Sequence, residues 1–293
     1  APVAFNAVGV FRLFGFRVEV RPGFLLFLVL VVLLYGGSQG LWAAGSIAVF
    51  TLIHELGHAT AARATGSHAE ISLDFLAGYA SYVPRRKLSR LERAGIAVAG
   101  AAAQFTTAVV VLLVMGANPF SRDDITLNDA TISIWWAGIV LALVNLIPIL
   151  PLDGGSIVSL FVEWLSPRRG RTFMLWFSVA VSSVGVATAI VVSQLQGFLP
   201  FAAVLLVLQV QMLRAERGLA GMRARMTPLE FVAALQDARL HDEAAREAAA
   251  TFRNAPSAEL AARIATSLSA IGDHDGATAW MSMAEKLTLA RRD

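Results

Sequence analysis

The sequence predicts an α-helical polytopic membrane protein with six transmembrane helices, a short membrane-associated β-hairpin and a C-terminal soluble helical domain. Two observations carry this. Hydrophobic residues make up 56% of the 293-residue chain and charged residues only 15%, with a mean hydropathy of +0.64; ordinary soluble domains carry about 25% charged residues. The apolar residues also gather into six runs, and beyond Arg225 the composition turns soluble.

The runs are Phe24 to Tyr35, Leu41 to Thr65, Leu91 to Met115, Ile132 to Leu165, Phe173 to Leu195 and Phe198 to Leu213. A helix crosses about 30 Å of hydrocarbon in about 20 residues, so the first run is short and the fourth too long for one plain helix. Pro148, Pro151, Gly154 and Gly155 remove or weaken helical bonds in the fourth run and predict an unwound stretch at membrane depth.

Charge sets the orientation. Arg12, Arg17 and Arg21 precede the first run. Arg85, Arg86, Lys87, Arg90 and Arg93 follow the second, Arg168, Arg169 and Arg171 the fourth, and Arg214, Arg217, Arg223 and Arg225 the last. Gly36 to Gly40 and Gln194 to Gly197 are uncharged, and Ala117 to Thr131 carries one arginine among three aspartates. The positive-inside rule then places both termini in the cytoplasm of a cell (plasma or inner) membrane, with six crossings. The expected domains are a cytoplasmic segment 1–22, a six-span domain 23–215, a linker 216–226 and a cytoplasmic helical hairpin domain 227–293. The pI of about 9.8 does not indicate nucleic acid, because the arginines flank apolar runs; the expected partner surface is the lipid bilayer. There is no cysteine, which excludes disulfides and thiolate ligands. No cleavable signal peptide is expected in the first residues, which begin at Ala1.

Within the second run stands His54-Glu55-Leu56-Gly57-His58, after a stretch from Leu41 to Ile53 with no charged residue. Residues four apart share a helix face, so both imidazoles can reach one metal ion, with Glu55 beside its water. Polar groups at bilayer depth are costly and mark function. From Leu41 to His54 the chain advances about 20 Å, which puts the histidines about 10 Å below the cytoplasmic surface. In the fourth run Asp153 is the only carboxylate between Ile132 and Val162, at a compatible depth. It reads either as a third ligand, giving the two-His, one-carboxylate set of a catalytic zinc, or as a turn residue before Gly-Gly.

The His54 to His58 helix paired with the downstream Asn145-Leu-Ile-Pro148-Ile-Leu-Pro151-Leu-Asp153-Gly154-Gly155 segment resembles the site-2 protease family of intramembrane zinc metalloproteases. Ile71 to Tyr82 is similar to the family's glycine-containing strands, and Leu91 to Phe105 to its E-x-x-x-x-x-x-AGP-x-x-N helix; the likeness covers about residues 10 to 213. It implies Zn2+ held by His54, His58 and Asp153, Glu55 as general base, and Asn145 near the scissile carbonyl. The implied activity is regulated intramembrane proteolysis. A transmembrane segment of a single-span protein, such as a membrane-tethered transcription regulator or anti-sigma factor, would be cleaved near the cytoplasmic side. The chain departs from the pattern in three places. Alanine replaces the proline after Ala-Gly, Gln104 stands where asparagine is usual, and one glycine of a usual pair remains at Gly78. A Ste24-like peptidase fits less well, since it uses a glutamate third ligand. A non-catalytic metal-binding scaffold or carrier is the other alternative, and Glu55 argues against it.

Ile71, Leu73 and Phe75 alternate, and with Gly78 as a turn and Tyr79 to Val83 they predict a hairpin whose edge accepts substrate as an added strand, or which only seals the site. His68, His241 and His274 read as surface histidines, and Asp74 and Glu92 either gate water or face solvent. In the tail, Thr227-Pro228-Leu229-Glu230 is a capping box, and breaks near His241, Pro256 and Gly272 predict four helices. Ala261 to Leu287 resembles a tetratricopeptide hairpin, and residues 227–293 are expected to bind a cytoplasmic regulator or to self-associate.

Overall fold

The computed structural model describes residues 8–74, 77–83, 86, 88–166, 170–192 and 199–289. Phe75, Arg85, Lys87, Arg168, Arg169 and the predicted outer loop Gln194 to Gly197 lie outside the described residues. The chain divides into two compact units, Ala1–Val210 and Gln211–Asp293.

The first unit opens with two strands that the sequence reading did not anticipate, β1 (Gly9–Leu13) and β2 (Phe16–Val20), joined through Phe14 and Gly15 at positive φ. The signal was present: Phe16, Val18 and Val20 alternate with Arg17 and Glu19, but the arginines were read only as anchors. Two helices follow, α1 (Pro22–Tyr35) and α2 (Gly37–Ala64), then β3 (His68–Asp74) and β4 (Ala77–Val83). The expected hairpin is therefore half of a four-stranded sheet in the order β1-β2-β3-β4. β2 and β3 run parallel, Val18 facing Ile71, and the other pairs are antiparallel. Gly78 pairs with Leu73 inside the ladder, so it is a strand residue and not the turn. Phe16, Val18, Ala69, Ile71 and Leu73 cover one face and pack with Ala59 and Ala62 of α2.

Next come α3 (Arg90–Val114), the short α4 (Arg122–Ile125) and α5 (Asp129–Ile134), which runs into a π-helical segment, Trp135–Val140, and then α6 (Leu141–Asn145). Helical structure breaks over residues 146–152, where the Leu150–Pro151 bond is cis, and resumes as α7 (Asp153–Leu165). The two prolines and two glycines of this stretch place the break where the sequence predicts it. α8 (Gly170–Val191) and the first part of α9 (Leu199–Arg225) complete the unit. Among the described residues α2, α3 and α8 are long and apolar enough to cross a membrane; α1 and the Asp129–Asn145 stretch are apolar but shorter.

α2 and α3 approach closely because Gly57 has no side chain: a Cβ there would lie 2.9 Å from that of Ala103 and would press on the Ala99 carbonyl. Residues 216–226, read as a linker, are helical through Arg225 as the end of α9.

The second unit contains that end of α9 and α10 (Pro228–Asp237), α11 (His241–Phe252), α12 (Ala258–Ala270) and α13 (His274–Leu289). The four helices start and stop at the predicted breaks. Thr227 accepts from the Glu230 backbone N–H while the Glu230 carboxylate accepts from that of Thr227, the capping box read in the sequence. Phe231, Val232, Leu235, Ala244, Ala248, Leu260 and Ile264 form the core.

Candidate metal centre

Three side chains from two separate helices converge. His54 and His58 lie one turn apart on α2, and Asp153 is the first residue of α7. The two Nε2 atoms are 2.9 Å apart, and Asp153 Oδ2 lies 3.1 Å from that of His54 and 3.3 Å from that of His58. A tetrahedral zinc with bonds of about 2.0–2.1 Å has ligand-to-ligand edges of about 3.3–3.4 Å, so this triangle is within a few tenths of an ångström of one tetrahedral face. It is the one group of three or more potential ligand side chains found among the described residues.

The far sides of the rings set which nitrogens are bare. His58 Nδ1 lies 2.7 Å from the Ile96 carbonyl, which can only accept, so Nδ1 carries the proton and Nε2 offers a lone pair. His54 Nδ1 faces Gln104 Oε1 at 2.8 Å. The orientation of that amide is fixed in turn, because Gln104 Nε2 donates to the Ala137 carbonyl at 2.7 Å. Ala137 lies in the π-helical segment, where Leu141 N–H bonds to Trp136 O and so bypasses the carbonyl that an α-helix would use. Two imidazole lone pairs and a carboxylate oxygen thus meet with no ring proton between them, and a cation at the centre satisfies all three.

Small residues make room for this. A Cβ on Gly100 of α3 would collide with the His58 ring, and Cβ atoms on Gly154 or Gly155 would strike the backbone of residues 146–150. Gly100, and the two glycines after Asp153, are therefore demanded by close approach to the His58 ring and to the unwound backbone. Sequence reasoning named the three side chains that converge but missed Gln104 as the buried support of His54; its signal was a lone amide in an apolar run.

The other candidates fall as follows. Glu55, between the two histidines, is buried. Asn145 is half-buried at the end of α6, where the break begins. Asp74 and Glu92 are engaged in structural pairs. Asp74 meets Arg21 at 3.1 Å, and Glu92 closes the capping box of α3 with Ser89 and holds Arg86 at 3.0 Å. His68 and His274 are exposed, and His241 is half-buried at the start of α11.

A two-His, one-carboxylate group with a glutamate beside it, held between apolar helices, defines a metallohydrolase-type centre in a membrane-type fold. Residues 123–192, which include Asp153, match the sequence model of peptidase family M50. A putative zinc metalloprotease of Synechocystis sp. is 28% identical over 205 residues, covering 62% of this chain and 53% of the relative. A zinc metalloprotease of Methanocaldococcus jannaschii is 28% identical over 157 residues, covering 52% and 44%. The chain thus spans about half the length of the curated relatives it matches. In fold it is similar to the site-2 protease from Methanocaldococcus jannaschii, with a TM-score of 0.52 at 19% identity over 71% of this chain and 95% of that one. The chain is thus similar over part of its length to peptidase family M50 and to zinc metalloproteases, and in fold to a site-2 protease.

Proposed function

We propose that the chain is an intramembrane zinc endopeptidase that cleaves a transmembrane segment of a single-span membrane protein near the cytoplasmic side. The observation that carries this reading is the convergence of His54, His58 and Asp153 on one point, with bare nitrogens turned inward and Glu55 adjacent. Zinc, when bound, supplies Lewis acidity to the attacking water and to the scissile carbonyl. Glu55 takes the water proton and returns it to the departing amine. Asn145 donates from its amide to the substrate carbonyl, a role that its place at the mouth of the break supports. A glutamate beside the ligands is superfluous for a metal-binding scaffold or carrier, which makes that alternative weaker.

The substrate must unwind before its carbonyls can be attacked. β3 lies between two strands, so its edges are not available; β4 is an outer strand and is the one on which an extended substrate adds. Six crossings with both termini cytoplasmic, and a membrane-tethered transcription regulator such as an anti-sigma factor as substrate, complete the reading. Residues 227–293 serve as a tetratricopeptide-like platform for a cytoplasmic regulator or a second copy.

Co-expression with candidate single-span substrates tests the assignment. Cleavage by the unsubstituted chain that disappears in both Glu55→Gln and Asp153→Ala supports it. Cleavage that survives both substitutions rejects it, and a zinc-loaded chain that cleaves none of them favours the scaffold.

A further inference from the structure

Leu150 lies three residues before Asp153 in the unwound segment, and both of its backbone polar groups are held by side chains from remote helices. Its N–H donates to Ser178 Oγ of α8 at 2.8 Å, and its carbonyl accepts from Gln209 Nε2 of α9 at 2.7 Å. Both side chains belong to fully buried residues, at 0% exposure. Ser178 is matched on both sides, since its hydroxyl donates in turn to the Met174 carbonyl at 2.7 Å. On its other face the loop is pressed by Gly154 and Gly155, which leave no space between α7 and the backbone of residues 146–150. No side chain caps the start of α7, whose N-cap is Leu152, so the position of Asp153 depends on the loop before it, and that loop is pinned at Leu150.

We propose that Ser178 and Gln209 are positioning residues for the metal centre, a two-helix clamp on Leu150 that sets where the Asp153 carboxylate stands relative to His54 and His58. Backbone groups at membrane depth need partners whatever their role. The clamp goes further, because two partners from different helices orient the two peptide planes that flank Leu150, the preceding one through its N–H and the following one through its carbonyl. A single polar side chain or a water would satisfy one group without orienting both planes.

This inference rests on Asp153 being a metal ligand, and the experiment separates the two ideas. Zinc affinity of the purified full chain is measured by chelator competition, the geometry is read from the absorption of the Co2+-substituted protein, and thermal unfolding without metal reports the fold. Gln209→Met and Ser178→Ala are expected to bind zinc about 10–100-fold more weakly and to shift the cobalt bands, the range seen when supports of metal ligands are removed. Ser178→Thr, which keeps the hydroxyl, restores both. Ser182→Ala removes a buried hydroxyl one turn along α8 that has no hydrogen-bond partner among the described residues, and leaves both unchanged.

Folded Gln209→Met or Ser178→Ala protein with unaltered affinity and spectrum overturns the clamp, as does an equal loss in Ser182→Ala. Should Gln209→Met fail to fold, the alanine and threonine variants at 178 decide alone. Asp153→Ala with full zinc affinity overturns the ligand reading itself; Asp153→Ala weakened while the clamp variants are not overturns only the clamp.

Discussion

His54 Nδ1 lies 2.8 Å from Gln104 Oε1, and the same amide reaches on to the Ala137 carbonyl, so one buried side chain links α2 to the π-helical segment. Gln104→Leu leaves the His54 ring and that carbonyl unpartnered, at a cost of about 1–3 kcal/mol each. Zinc affinity is expected to fall about 10–100-fold, measured by competition with a chelator. Gln104→Asn keeps both functional groups on a shorter arm and is expected to fall between the two.

Glu55→Gln separates binding from chemistry. The amide keeps the shape of the side chain and removes the base, so metal content stays at the unsubstituted level while cleavage drops about 10²–10⁴-fold. Metal analysis and a cleavage assay on the same preparation check it, and loss of both together would make Glu55 a structural residue.

Close packing gives a third expectation. Gly57→Ala forces α2 and α3 apart and Gly100→Ala drives a methyl into the His58 ring. Each is expected to destabilise the first unit by about 1–3 kcal/mol, the usual cost of overpacking. Gly100→Ala alone should also depress zinc binding, since only it touches the His58 ring. Thermal unfolding and metal titration, run side by side, distinguish the two.

Adjacent positions on β4 test strand addition. In an outer strand alternate N–H groups point toward the neighbour and away from it, so of Ser81→Pro and Tyr82→Pro one removes a bond to β3 and the other blocks the free edge. The edge-blocking variant is expected to lose cleavage while retaining zinc. If neither changes cleavage in folded, zinc-loaded protein, the substrate does not add to β4.

In the second unit the cap at Thr227 should be acid-sensitive. Two hydrogen bonds from Thr227, from its backbone N–H and its hydroxyl, hold the Glu230 carboxyl below its usual value. A depressed carboxyl contributes stability above its unfolded pKa, and the contribution is lost as pH falls through the folded value, so α10 should loosen below about pH 4.5. Hydrogen exchange over residues 228–237 reports it. Thr227→Ala is expected to destabilise α10 by about 1 kcal/mol at neutral pH.

What the sequence disclosed follows from what is periodic or costly. His54 and His58 could be placed together because a helix repeats every 3.6 residues, and Asp153 because a carboxylate in an apolar run needs a reason. The break over 146–152 was legible from Pro148, Pro151, Gly154 and Gly155, and the four helices of the second unit from their caps and breaks. The roles of Gln104, Ser178 and Gln209 were not, because the groups they hold around the site lie 28 to 59 residues away, a distance that local patterning does not encode. The π-helical segment left no trace either: Trp135 to Val140 reads as ordinary apolar helix, and its slipped register is visible only in Leu141 bonding to Trp136. β1 and β2 were missed for a different reason, since arginines near an apolar run fit an anchor as well as Arg12 and Arg17 fit the exposed face of a strand.

The parallel pairing of β2 with β3 speaks to sidedness. One strand ends just before α1 and the other begins just after α2, yet their backbones share a ladder from Val18 and Ile71 to Val20 and Leu73. The intervening helices must therefore form an out-and-back excursion whose two ends are stapled together. His58 sits six residues from the returning end of α2, about 9 Å along the axis. The staple thus works as a depth gauge: shortening or lengthening α2 beyond His58 by one residue would rotate the imidazole by about 100° and draw it away from the carboxylate that awaits it on α7.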